Sequence, residues 1–217
     1  MATVQGYTVG VGGQARSGKD TLGRYLVQRL NEVGNLGRWE RCGFADPVKR
    51  MFMDAFDVNE EFIENWKTRV EPPPGFQMPV RACLTLIGDG FRRMRPTVWI
   101  DKLFRSAPGQ RVVTDVRYLN EVQSIRESGG VVILLYRPGF ANDLPTPSEQ
   151  ELVPLVQQLL DLGTEGPIRG TDLPCDYFLI NGGSVDDLYR KADEHILPHL
   201  SRHLRSMFLQ GKAGQTT

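Results

Sequence analysis

Nine consecutive residues, Gly13-Gln14-Ala15-Arg16-Ser17-Gly18-Lys19-Asp20-Thr21, have the types and spacing that hold phosphate. Two glycines five positions apart bracket a turn, a lysine follows the second, and a threonine closes the run. Such glycines let the backbone curl until successive N–H groups point inward, and the start of a helix adds partial positive charge there. The lysine ammonium supplies a full charge for the terminal phosphates of a nucleoside triphosphate. The run therefore predicts a nucleoside triphosphate as ligand, contacted by Gly13, Arg16, Ser17, Gly18, Lys19, Asp20 and Thr21. Asp20 breaks the usual pattern, in which a Ser or Thr after the lysine ligates magnesium directly. Two readings of it stay open: a carboxylate in the outer shell of Mg²⁺, acting through water, or a charge that suits a helix N-terminus. Thr21 is expected to bond a phosphate.

Other charged residues could complete the chemistry. Asp115 ends an apolar run and could share with Asp20 the hydration shell of Mg²⁺. Arg117, Arg137 and Arg16, with Lys19, would offset charge developing on a transferring phosphoryl group. The plainer reading of Asp115 and Arg117 is a surface ion pair, with Glu121 anchoring the arginine. Arg81 and Arg92 bracket an amphipathic segment. Arginine forks suit a second anionic site, although a solvated helix face explains them equally simply. His195, His199 and His203 recur every four residues, but Pro198 interrupts them and no further ligand completes a metal site.

The elements that must position these groups alternate along the chain. Apolar runs at 7–11, 38–44, 111–115, 131–136 and 177–180 predict strands, and 131–136 is the most apolar. Leu22, Tyr25, Leu26, Leu30 and Val33 recur at helical spacing. Asp46-Pro47 reads as an N-cap followed by first-turn proline, opening a helix through Phe56. Segments 60–69, 80–91, 118–128, 149–162 and 185 onward also read as helical, the last interrupted near Pro198. Pro72-Pro73-Pro74-Gly75 breaks any regular element. The alternation predicts an α/β fold, a parallel sheet covered by helices. The organisation is one domain over 1–217, with a helical insertion at about 46–105 and a lid region at about 138–174.

Composition narrows the function. The chain has 217 residues, 40% of them hydrophobic, which suits one globular α/β domain. Its 26 basic and 26 acidic side chains cancel, so no basic track for a nucleic-acid polymer is apparent. Cys42, Cys83 and Cys175 are too few and too scattered for a disulfide framework, which suits a reducing compartment. Residues 1–5 lack signal-peptide character and no apolar stretch is long enough for a membrane span. The expectation is a cytoplasmic protein without a membrane partner. Exposed faces of the middle helices could pair two chains.

The chain also resembles a known family, the bacteriophage-type deoxynucleoside monophosphate kinases. The resemblance lies in Gly13–Thr21, in Gly43-Phe44-Ala45-Asp46-Pro47-Val48-Lys49, in Arg81–Leu84 with Gly88 and Arg92, and in Thr114-Asp115-Val116-Arg117-Tyr118-Leu119-Asn120-Glu121 followed by Gly129-Gly130 and Arg137. Ser148-Glu149 and Asp176 with Asn181 are weaker echoes, and nothing matches between 150 and 174. The resemblance implies a P-loop kinase fold with a five-stranded parallel sheet. It also implies transfer of the γ-phosphate of ATP to a deoxynucleoside monophosphate, with Mg²⁺. Asp46, Lys49, Arg81 and Arg92 would then lie toward the monophosphate, and Arg117 and Arg137 near the phosphates. Two alternatives compete with this: a kinase for another small acceptor such as an alcohol, with Asp46 as base, and a catalytically silent nucleotide-binding regulator.

Overall fold

The computed structural model describes residues 6–33, 37–106, 109–140 and 150–201. His203 and Ser148-Glu149 lie outside the described residues, as does part of the expected lid region.

The chain opens with β1 (Thr8–Gly13), in which all six residues are buried, and α1 (Lys19–Glu32). Leu22, Leu26 and Leu30 fall on one face of α1 and are fully buried, each stabilising the fold by about 2 kcal/mol. Next come β2 (Trp39–Cys42), β3 (Gln110–Val116), α6 (Leu119–Glu127), β4 (Val131–Tyr136), α7 (Val153–Asp161), β5 (Gly166–Pro167), β6 (Tyr177–Ile180) and α8 (Val185–His195). Between β2 and β3 run four helices, α2 (Asp46–Phe56), α3 (Glu60–Trp66), α4 (Val80–Met94) and α5 (Val98–Arg105).

The sheet order is β2-β3-β1-β4-β6-β5. β1 pairs in parallel with both β3 and β4, while β2 and β6 extend the parallel array on either side. The five-stranded parallel sheet expected from the sequence is corrected here: a sixth strand, β5, pairs antiparallel to β6 through Gly166↔Phe178 and Pro167↔Tyr177. A two-residue Gly-Pro edge has no side-chain alternation to read, and proline is tolerated there because an edge strand leaves N–H positions unpaired. The helix expected over 149–162 is regular over Val153–Asp161, with Pro154 in its first turn. α8 stops at His195, and the chain is helical again from 197, with Pro198 early in the new helix.

Two compact units result, one holding 6–42 with 109–201 and the other 43–106. The first has a core of β-strand valines and leucines against α1 and α8. Tyr25 and Tyr189 stack at 4.0 Å, and the Tyr25 hydroxyl donates to Asp193 at 2.7 Å, joining α1 to α8. The second unit packs Phe52, Ile63, Val80 and Cys83 together, with Phe62, Trp66 and Phe76 against them. Its last helix, α5, falls within the helical insertion expected over about 46–105, though no separate element is expected there. Its Trp99, Ile100 and Leu103 are buried. Among the described residues, no helix is long and apolar enough to cross a membrane, and no group of three metal-ligating side chains converges.

Candidate active site

The strand order explains where a ligand can sit. β1 lies between β3 and β4, and the chain leaves it to form β2 on the far side of β3. In such sheets the crevice at the carboxyl ends of the strands is the binding edge. That edge brings together Gly13 at the end of β1, Asp115 and Arg117 at the end of β3, Arg137 after β4 and Asn181 after β6. The registers Gly12↔Val116, Gly13↔Leu135 and Tyr136↔Ile180 set their levels.

The loop itself is built for close backbone approach. Gly13 has φ 132°, and a Cβ there would lie 2.1 Å from the Leu135 carbonyl oxygen. Gly18, at φ 99°, is the N-cap of α1, and among the described residues no side chain caps that end. The first N–H groups of α1 are therefore presented without a capping acceptor, the arrangement that suits an anion. Arg16 takes a left-handed conformation at φ 59°, a cost of about 1 kcal/mol that the surrounding loop must offset. Ser17 is fully buried, and its Oγ finds no hydrogen-bond partner among the described residues. An orphaned buried hydroxyl in a phosphate loop fits a ligand that supplies acceptors. Lys19 Nζ donates to the Gln14 carbonyl at 2.6 Å, folding the ammonium back across the turn.

Three side chains brace the loop. Asn181, 8% exposed, donates from Nδ2 to the Ser17 carbonyl at 2.9 Å, across 164 residues of sequence. Gln14 Nε2 donates to the carbonyls of Arg137 at 2.9 Å and Phe140 at 2.8 Å. Arg137 Nη1 donates to the Arg16 carbonyl at 3.3 Å, and its guanidinium lies 4.0 Å from the Phe140 ring centre. Arg137 thus stands beside the phosphate loop. The motif gives Gln14 no role of its own; the β4–β1 pairing, which brings the loop after β4 beside it, does. Replacing Asn181 with alanine is expected to cost about 1–3 kcal/mol, because the Ser17 carbonyl loses its partner. Thermal denaturation and nucleotide titration check this, with weaker nucleotide binding than in the wild type.

Asp20 does more than sit at a helix start. Its Oδ1 accepts from Thr114 Oγ1 at 2.9 Å and lies 3.5 Å from Arg41 Nη1, which also donates to Thr114 Oγ1 at 3.2 Å. Thr21 follows in the first turn of α1. Asp115 and Arg117 are both half-buried at the end of β3. Glu121, 2% exposed, accepts from the backbone N–H of Arg117 at 2.8 Å and of Tyr118 at 3.2 Å. It anchors the arginine through the main chain while closing the first turn of α6.

The other predicted residues belong to the second unit. Asp46 is the first residue of α2, with Ala45 as N-cap, so its reading as the cap is corrected. Its carboxylate instead accepts from the Gly43 N–H at 2.7 Å, stapling the turn after β2. Lys49 is half-buried in the first turns of α2. Arg81 is exposed at the start of α4, and Arg92, near its end, places Nη1 3.4 Å from Asp89. Eleven residues are three helical turns, so the two arginines share one face of α4, about 16 Å apart along its axis.

No family model matches the chain. One curated relative does: "Putative deoxynucleotide monophosphate kinase" of Acanthamoeba polyphaga mimivirus is 31% identical over 163 residues, 66% of this chain and 81% of the relative. The chain belongs to the deoxynucleotide monophosphate kinase family. The resemblance expected from its motifs holds at that level. Among solved structures, a Mycobacterium tuberculosis APS kinase in complex with AMPPNP and APS is similar at TM-score 0.38 and 14% identity, over 88% of this chain and 98% of that one. A shikimate kinase from Acinetobacter baumannii in complex with shikimate is similar at TM-score 0.40 and 17% identity, over 89% and 94%.

Proposed function

We propose that this protein transfers the γ-phosphate of ATP to a deoxynucleoside monophosphate, giving ADP and the deoxynucleoside diphosphate. The observation that carries the reading is the family membership, together with a phosphate loop whose glycines, lysine and uncapped helix end are all in place. The acceptor phosphate is already largely ionised near neutral pH, so its oxygen attacks without a general base. The chain's work is positioning and charge. Backbone N–H groups of residues 13–19 and the start of α1 bind the donor phosphates, and Lys19 neutralises their terminal charge. Arg16, Arg117 and Arg137 stabilise charge that grows on the transferring group. Mg²⁺, when bound, would neutralise charge on the β- and γ-phosphates. Asp20 and Asp115 would hold it through its water shell, and Oδ2 of Asp20, which takes no hydrogen bond among the described residues, suits that role.

Asp46, Lys49, Arg81 and Arg92 would bind the monophosphate. An alcohol acceptor would need Asp46 as base, and the hydrogen bond from Gly43 to its carboxylate disfavours that. A panel of deoxy- and ribonucleoside monophosphates with ATP and Mg²⁺, assayed for diphosphate formation, tests the proposal. Diphosphate from at least one deoxynucleoside monophosphate is expected. Nucleotide binding with no ADP formed on any of them would sink it. Arg81→Ala is expected to raise the KM for the monophosphate by about tenfold or more while leaving ATP binding unchanged. Equal effects on both substrates would remove Arg81 from the acceptor site.

A further inference from the structure

We propose that Thr114 and Arg41 are positioning residues that clamp Asp20, so that Asp20 takes over at the hydrated metal the place usually filled by a hydroxyl residue after the lysine. The inference rests on the kinase reading and adds two residues to which the sequence reading gives no role.

The clamp is built by close packing of α1 on β3. Thr114 is 3% exposed, so its hydroxyl has little access to water and is committed to a protein partner. Gly23, one helical turn after Asp20, is what allows the approach: a Cβ there would lie 2.1 Å from Thr114 Cγ2. The β1–β3 register slips at the same level. Gly10 pairs with Val113 and Gly12 with Val116, so β3 accommodates one extra residue across Thr114-Asp115. Bulges of this kind re-aim side chains at the working end of a sheet. Here the slip brings the Thr114 hydroxyl to Asp20 and leaves Asp115, the other candidate for the metal's water shell, as the next residue.

Arg41 comes from the opposite flank. In β2 it lies two residues after Trp39, on the same face, and Trp39 packs in the core with Leu22, Leu26 and Leu30 of α1. That face therefore follows α1, and the long side chain of Arg41 spans the remaining rise to the start of the helix. One guanidinium nitrogen, Nη1, reaches both Thr114 Oγ1 and Asp20 Oδ1.

Oδ1 of Asp20 is thus held twice, while Oδ2 takes no hydrogen bond among the described residues and the side chain is 65% exposed. A carboxylate with one oxygen fixed and one open can accept from a metal-bound water. Ordinary surface pairs, held by one flexible partner, are worth little. This one is different in having a buried hydroxyl between its members.

Binding of Mn²⁺ in the presence of ADP, followed by electron paramagnetic resonance, tests the clamp without relying on turnover. Thr114→Val, Arg41→Ala and Asp20→Asn are each expected to weaken Mn²⁺ binding by about tenfold, the effect typical of partners that orient a metal's ligands. For Thr114→Val and Arg41→Ala, ADP binding in EDTA should stay as in the wild type. Thr114→Ser, which keeps the hydroxyl, should restore metal binding. The double variant Asp20→Asn with Arg41→Ala should bind Mn²⁺ no worse than Asp20→Asn alone, because Arg41 acts through Asp20. Wild-type Mn²⁺ binding in Thr114→Val and Arg41→Ala, additive losses in the double variant, or equal loss of metal-free ADP would each overturn the clamp. A wild-type protein that binds no ADP at all would instead overturn the kinase reading, and the clamp with it.

Discussion

Lys19→Ala is expected to cut kcat/KM by about a thousandfold or more, the scale on which a cation at a transferring phosphoryl group contributes. Stability should barely move. The ammonium donates to the Gln14 carbonyl within the loop, an exchange of hydrogen bonds worth about 1 kcal/mol, and the side chain is no part of the buried core. Steady-state kinetics beside a thermal melt separates the two effects. Lys19→Arg should not rescue activity, because a planar fork cannot replace a compact ammonium folded across the turn. Near-normal turnover in the alanine variant would show that the ammonium is not what neutralises the phosphates.

Gly13→Ala should fail for a different reason. At φ 132° an L side chain is strained whatever surrounds it, and here its Cβ would meet the Leu135 carbonyl at 2.1 Å. That oxygen belongs to the β1–β4 ladder and cannot swing aside as a flexible side chain could. A loss of roughly 3 kcal/mol or more is expected, lowering Tm by roughly 6–12 °C. Nucleotide binding should disappear with it, since the turn that aims the N–H groups begins at this residue. Gly90→Ala on α4, where a Cβ meets nothing within 4 Å, is the control and should be neutral or slightly stabilising. Parallel losses in both variants would mean that the effect is not conformational.

Together these two variants separate the charge of the phosphate loop from its shape. The loop could be read directly because its chemistry is contiguous. The backbone that binds phosphate, the glycines that let it curl and the lysine that adds charge occupy nine neighbouring positions. Local physics likewise set many element bounds. Pro47 suits the first turn of α2, and α2 ends at Phe56 as expected. The run Tyr177–Ile180 forms β6 with no residue gained or lost, as a short apolar stretch between polar turns should.

Family membership also followed from local runs of residues, and so did the α/β class with its helices between the second and third strands. The sequence by itself determined which residues could meet a phosphate. The tertiary structure alone decided what supports them: Asn181 beneath Ser17, Gln14 against the strand-end loop, and Thr114 with Arg41 around Asp20. It decided too that Asp46 staples a turn and that a Gly-Pro pair becomes a sheet edge. Hydrogen bonds between residues far apart in the chain depend on strand order and on a register slip, and neither leaves a periodic trace in sequence. A glycine such as Gly23 looks like a weak point in a helix until the strand that presses against it is known.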